Sequence, residues 1–118
     1  PEILIEPLAQ QFGFTKTYCS LLETKDGFFT GKVKLNLSKD KGKKDIVNRL
    51  KKEHQFDVKN CFAFGDSLED IPLFELAKNS SIIGKPGKQL EKLAKEKGWH
   101  IFPPKQEILK KIIELMNQ

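Results

Sequence analysis

Phe62-Ala63-Phe64-Gly65-Asp66-Ser67-Leu68-Glu69-Asp70 is the stretch that decides the reading. Residues 60–64 are short and nearly all apolar, as expected of a strand covered on both faces in a parallel sheet. Gly65 permits a tight turn, and an acid stands where the strand gives out. In open α/β sheets that end of a strand is where ligands bind. Asp70 follows four residues after Asp66, on the turn into the next helix, so both carboxylates can face one crevice. Asp and Ser after a strand can equally cap that helix, with Asp70 as N-cap and Pro72 in its first turn.

Outward from this stretch the second half alternates between helix and strand. Ile46, Val47 and Leu50 mark an amphipathic helix ending near Gln55. Residues 80–83 form a short apolar strand closed by Gly84. Leu90, Leu93 and Ala94 line a helix stopped by Gly98. Residues 99–102 make a last strand, ended by Pro103-Pro104, and Ile108, Leu109, Ile112, Ile113 and Met116 line a C-terminal helix. Short loops between such elements predict βαβ units and a parallel, Rossmann-like three-layer α/β sheet.

The first half differs. Ile3, Leu4, Leu8 and Phe12 are spaced as on a helix that ends at Gly13, although Pro7 conflicts with a helix interior. Residues 17–24 read as a strand and Asp26-Gly27 as a hairpin turn. Phe29, Gly31, Val33, Leu35 and Leu37 then alternate, which gives a small β-hairpin flap.

The chain has 118 residues, enough for one domain with a modest core. No apolar run approaches the roughly 18 residues of a membrane span. The net charge of +5 comes almost wholly from lysine, Arg49 being the one arginine. Lysines spread over helix faces suit a solvated surface. A nucleic-acid site more often interleaves arginine with aromatic residues. Cys19 and Cys61 lack nearby Cys or His partners and His54 and His100 fit no ligand spacing, so free thiols in a reducing cytoplasm are expected rather than zinc.

The remaining chemistry-bearing group is Lys39, Lys41, Lys43 and Lys44. A lysine opening a helix beside an acid-lined crevice could neutralise a phosphate. Lys43 precedes Ile46, Val47 and Leu50 by three, four and seven residues and so aligns with the buried face; Lys44 is the alternative.

Taken in order, Lys43, Gly65-Asp66-Ser67-Leu68-Glu69-Asp70, Asp70-Ile71-Pro72-Leu73-Phe74 and the helix between Pro86 and Trp99 resemble the haloacid dehalogenase (HAD) superfamily. The likeness is to its phosphoserine-phosphatase-like branch and covers essentially the whole chain. Residues 1–13 are similar to the helix after that family's second motif. The resemblance implies a phosphate monoester phosphatase working through an aspartyl-phosphate intermediate. It implies Mg²⁺ as cofactor, Asp66 and Asp70 as metal residues, Lys43 as the catalytic lysine facing the phosphate, and Ser67 at the substrate. The implied partner is a small phosphorylated metabolite.

The departures are as informative. No Asp-x-Asp follows an apolar strand, the Ser or Thr of the second motif would fall before Pro1, and the substrate-selecting cap has no counterpart. Residues 1–118 are therefore expected to be the C-terminal part of a HAD-like core, a fragment begun upstream and inactive alone. Surface exposed by truncation would favour self-association. The competing class is a non-enzymatic basic α/β module that binds nucleic acid or an acidic partner through its lysines. A receiver-like domain would need an early acidic cluster, which is absent.

Overall fold

In the computed structural model, residues 1–37, 42–55, 57–103 and 108–118 are described. The chain forms two compact units, Pro1–Ile46 and Val47–Gln118. It combines a three-stranded parallel sheet with a separate two-stranded antiparallel hairpin.

The first unit opens with α1, Glu2–Phe12. Gly13 closes it in the left-handed conformation at φ 69°, donating its N–H to the Ala9 and Gln10 carbonyls. Pro7 lies inside the helix. Having no N–H, it leaves only the Ile3 carbonyl without its helical donor, and the helix tolerates the loss.

Strand β1, Leu21–Lys25, starts four residues later than the sequence suggests. The reason is local: the Leu37 N–H donates to the Ser20 hydroxyl at 3.1 Å instead of to a backbone carbonyl, so the ladder stops there. Asp26 and Gly27 have φ of 52° and 82°, the two positive values of a tight hairpin turn. Strand β2, Phe28–Leu35, returns with Lys25 opposite Phe28 and Thr24 opposite Phe29. Both faces of β2 are exposed. Ile3, Leu4, Phe12, Phe14, Phe28 and Phe29 are each more than half exposed, so this unit buries little core of its own.

Helix α2, Gly42–Glu53, begins in the first unit and ends in the second, and it buries Val47. Of the lysine group, Lys39 and Lys41 lie outside the described residues. In the second unit Asp57 organises the approach to the sheet. Its Oδ1 accepts the Lys59 N–H and its Oδ2 accepts the Asn60 side-chain amide at 2.7 Å. This single 3₁₀ turn, Val58–Asn60, takes up the residue with which the strand was expected to open. Strands β3 (Phe62–Gly65), β4 (Asn79–Ile83) and β5 (His100–Phe102) follow in that spatial order, all parallel.

Helices α3 (Ile71–Leu76) and α4 (Lys88–Lys97) make the two crossovers, and α5 (Ile108–Met116) ends the chain. Ala63, Phe74, Ala77, Ile82, Leu90 and Ala94 form one buried cluster, with Trp99 and Ile101 packed against it. Phe74 is fully buried and its ring centroid lies 5.1 Å from that of Trp99. Burial of such a side chain contributes about 2 kcal/mol.

β4 is central and buried. β3 has β4 on one side and no paired strand on the other among the described residues. Among the described residues β3, whose end leads into Asp66, is thus an edge strand.

Candidate functional site

The loop after β3 is held by one carboxylate oxygen. Asp70 Oδ2 accepts the Asp66 N–H at 2.9 Å, the Ser67 N–H at 3.1 Å and the Ser67 hydroxyl at 3.1 Å. In return the Asp70 N–H donates to the Ser67 carbonyl at 3.1 Å. Asp70 is 6 % exposed. A buried carboxylate with three donors on one oxygen is well satisfied, and charge-assisted bonds of this kind are the strong ones. Asp70 does stand as N-cap of α3 with Pro72 just inside, but its side chain folds back onto the loop rather than capping forward.

Gly65 makes room for this clasp. A β-carbon there would meet Asp70 Oδ2 at 2.6 Å and Asp70 Cγ at 2.7 Å. Space, not a special backbone angle, requires glycine at this position.

The two acids therefore differ in kind. Asp66 is exposed, and its carboxylate has no polar partner among the described residues; only its N–H is used. A hard cation that takes one or two carboxylates, waters and substrate oxygens is suited to such a group. Among the described residues no cluster of three His, Cys, Asp or Glu side chains is present. The Ser67 hydroxyl, engaged with Asp70, must turn away to donate to a phosphate oxygen.

Lys43 lies in the first turn of α2 in the other unit and is half-buried, while Lys44 is exposed. Gly42 sets that turn: a β-carbon there would come within 2.8 Å of Leu37 Cα, so backbone packs directly on backbone. A cavity of about 550 Å³ lies away from the loop after β3. It lies in the first unit and is lined by Glu2, Leu21, Leu22, Glu23, Thr24, Lys25 and Lys34. It combines scattered charges with hairpin backbone and has no buried acid.

Sequence reasoning singled out the loop, its two acids and the lysine, with Asp66 and Asp70 as metal residues. It did not anticipate that Asp70 Oδ2 accepts the Asp66 and Ser67 amides and the Ser67 hydroxyl. A signal existed: an acid four residues on in a turn can reach back to the loop's amides as readily as forward to a metal.

The chain is similar to several known proteins. The family described as haloacid dehalogenase-like hydrolase matches residues 1–75. A phosphoserine phosphatase of Mycobacterium tuberculosis is 32 % identical over 101 residues, 86 % of this chain and 32 % of its own length. A histidinol-phosphatase of Neisseria meningitidis is 33 % identical over 105 residues, 86 % of this chain and 47 % of its own. The chain thus spans a third to a half of these relatives. A crystal structure of a protein of unknown function from Bordetella pertussis Tohama I superposes with a TM-score of 0.63 at 24 % identity, over 85 % of this chain and 46 % of that one. At that identity the likeness concerns the fold. No helix among the described residues is long and apolar enough to cross a membrane.

Proposed function

The chain belongs to the haloacid dehalogenase-like hydrolase family, and from that membership we propose that it supplies the metal-binding and phosphate-facing part of a Mg²⁺-dependent phosphate monoester phosphatase. The observation that carries this reading is the exposed, unpartnered Asp66 carboxylate on a loop clasped by Asp70. A carboxylate that makes no bond among the described residues, on backbone held by its neighbour, is suited to an external cation.

Asp66 would be the direct metal ligand, and Asp70 would hold it through the loop. When bound, Mg²⁺ would offset the negative charge of the phosphoryl oxygens. Lys43 would add a fixed positive charge at the same group. Ser67 would meet the substrate through its N–H or a reoriented hydroxyl. The nucleophilic acid of an aspartyl-phosphate route would come from residues outside 1–118, on a strand placed against the open edge of β3. Residues 1–118 alone would then be the C-terminal part of the core, inactive by themselves. The substrate would be a small phosphorylated metabolite, as the names of the relatives suggest. A cytoplasmic setting fits the two free cysteines.

The test compares hydrolysis of a generic phosphate monoester with Mg²⁺ by the isolated chain and by a protein of the relatives' length that contains it. Turnover only in the longer protein, lost on Asp66→Asn and on Lys43→Ala, is the expected result. Turnover by the isolated chain overturns the claim of inactivity. Turnover in the longer protein that survives Asp66→Asn overturns the assignment of the site.

A further inference from the structure

One strand over from Asp66, the sheet sends out a second loop. Gly65 pairs with Ile82 in the parallel ladder, and β3 and β4 end side by side at Gly65 and Ile83. Adjacent strands lie about 4.8 Å apart. Asp66-Ser67 and Gly84-Lys85 therefore leave the same edge of the sheet as neighbours. Gly84 turns the chain at φ 102°, a conformation other residues rarely adopt. Its N–H donates to the Phe102 carbonyl of β5 at 2.8 Å, which ties the base of the loop to the sheet.

Lys85 comes next, exposed, with no hydrogen bond or ion pair among the described residues. On α4 nearby, Lys95 pairs with Glu91 at 2.9 Å and Lys92 with Glu96 at 3.9 Å, while Lys88 and Lys97, like Lys85, have no ion pair among the described residues. Those pairs follow helical spacing. Lys85 differs in standing on a tethered turn at the ligand end of the sheet, one strand over from Asp66, whose carboxylate also lacks a partner among the described residues.

We propose that Lys85 is a specificity-determining residue that favours phosphate monoesters carrying a second anionic group, a carboxylate, over those without one. The inference rests on the phosphatase reading, with the phosphate at Asp66 and the second anion one strand over. A single exposed ion pair gives a modest preference, about fivefold in affinity.

The test is amide chemical-shift titration of the 118-residue chain in Mg²⁺ with O-phosphoserine and with O-phosphoethanolamine, which lacks only the carboxylate. Phosphoserine is expected to move the amides of Asp66, Ser67, Gly84, Lys85 and Gly87 together and to bind about fivefold more tightly. Phosphoethanolamine should move Asp66 and Ser67 only. Lys85→Ala should equalise the two ligands, Lys85→Arg should keep the preference, and Lys97→Ala, at the far end of α4, should change nothing. Equal affinities for the unsubstituted chain, or a preference that survives Lys85→Ala, overturn the role of Lys85. If Asp66 and Ser67 still respond, the phosphatase reading stands. No response at Asp66 and Ser67 to either ligand overturns the placing of the phosphate at Asp66, on which the role of Lys85 rests.

Discussion

Gly65 and Asp70 meet so closely that the carboxylate occupies the space a β-carbon would need, 2.6 Å from its ideal position. The neighbour is the short, buried, hydrogen-bonded side chain of an acid, which has no freedom to retreat. Gly65→Ala therefore has to push Asp70 off the Asp66 and Ser67 amides. The expected cost is about 1–3 kcal/mol of unfolding free energy, typical of overpacking. Urea denaturation measures it. A variant as stable as the parent would mean that the clasp gives way freely.

The two acids of the loop should respond to substitution in opposite ways. Asp70→Ala leaves two buried or half-buried N–H groups and a hydroxyl without their acceptor, and loss of a charged acceptor costs about 1.5–3 kcal/mol or more. Asp66→Asn removes no internal bond and should stay within about 0.5 kcal/mol of the parent. In a catalytically competent protein carrying this sequence, the same Asp66→Asn should lower Mg²⁺-dependent turnover by about 10²-fold or more. Denaturation midpoints together with rates separate the two residues. Equal destabilisation by both would refute the division of roles.

These contrasts mark what the sequence could and could not disclose. Apolar runs at residues 60–64, 80–83 and 99–102 between helical patterns were enough for the parallel sheet, since strand burial on both faces leaves a compositional trace. Asp26-Gly27 announced its hairpin because only a few residue pairs accept two positive φ values. Strand ends were less legible. Ser20 and Asp57 divert backbone donors through their side chains, a local competition that periodicity does not register. At the site, residue types and spacing pointed to Asp66 and Asp70 together. Only the hydrogen bonds distinguish the acid that is spent on the loop from the one that is offered outward. Lys85 was hidden among many lysines, since its distinction is its place beside β3 and not its surroundings in sequence.

Ser80 and Ser81 are adjacent on β4, both buried, and point to opposite faces of the sheet. The Ser80 hydroxyl bonds the Phe74 carbonyl at 2.7 Å and approaches the Ala77 carbonyl at 3.3 Å, which secures the turn between α3 and β4. The Ser81 hydroxyl has no partner among the described residues. Ser80→Ala should cost about 1–3 kcal/mol, since it strands buried carbonyls, whereas Ser81→Ala should be neutral or stabilising. Thermal or urea unfolding of the pair decides it. A cost for Ser81→Ala as large as for Ser80→Ala would show that Ser81 holds a bond of its own, for example to a buried water.

Metal affinity follows from the same inventory of oxygens. Asp66 brings one unengaged carboxylate, and Asp70 has committed Oδ2 to three donors. Mg²⁺ demands near-octahedral oxygen coordination and gives up its waters reluctantly, so one carboxylate and a partly engaged second replace few of them. The isolated chain is expected to bind Mg²⁺ with a Kd of about 1 mM or weaker. Addition of phosphate should tighten binding, because phosphate oxygens complete the shell. Calorimetric titration with and without inorganic phosphate gives both values. A stoichiometric Kd in the low micromolar range would mean that this chain already holds a full set of ligands, and the missing acid would then have to be sought within residues 1–118.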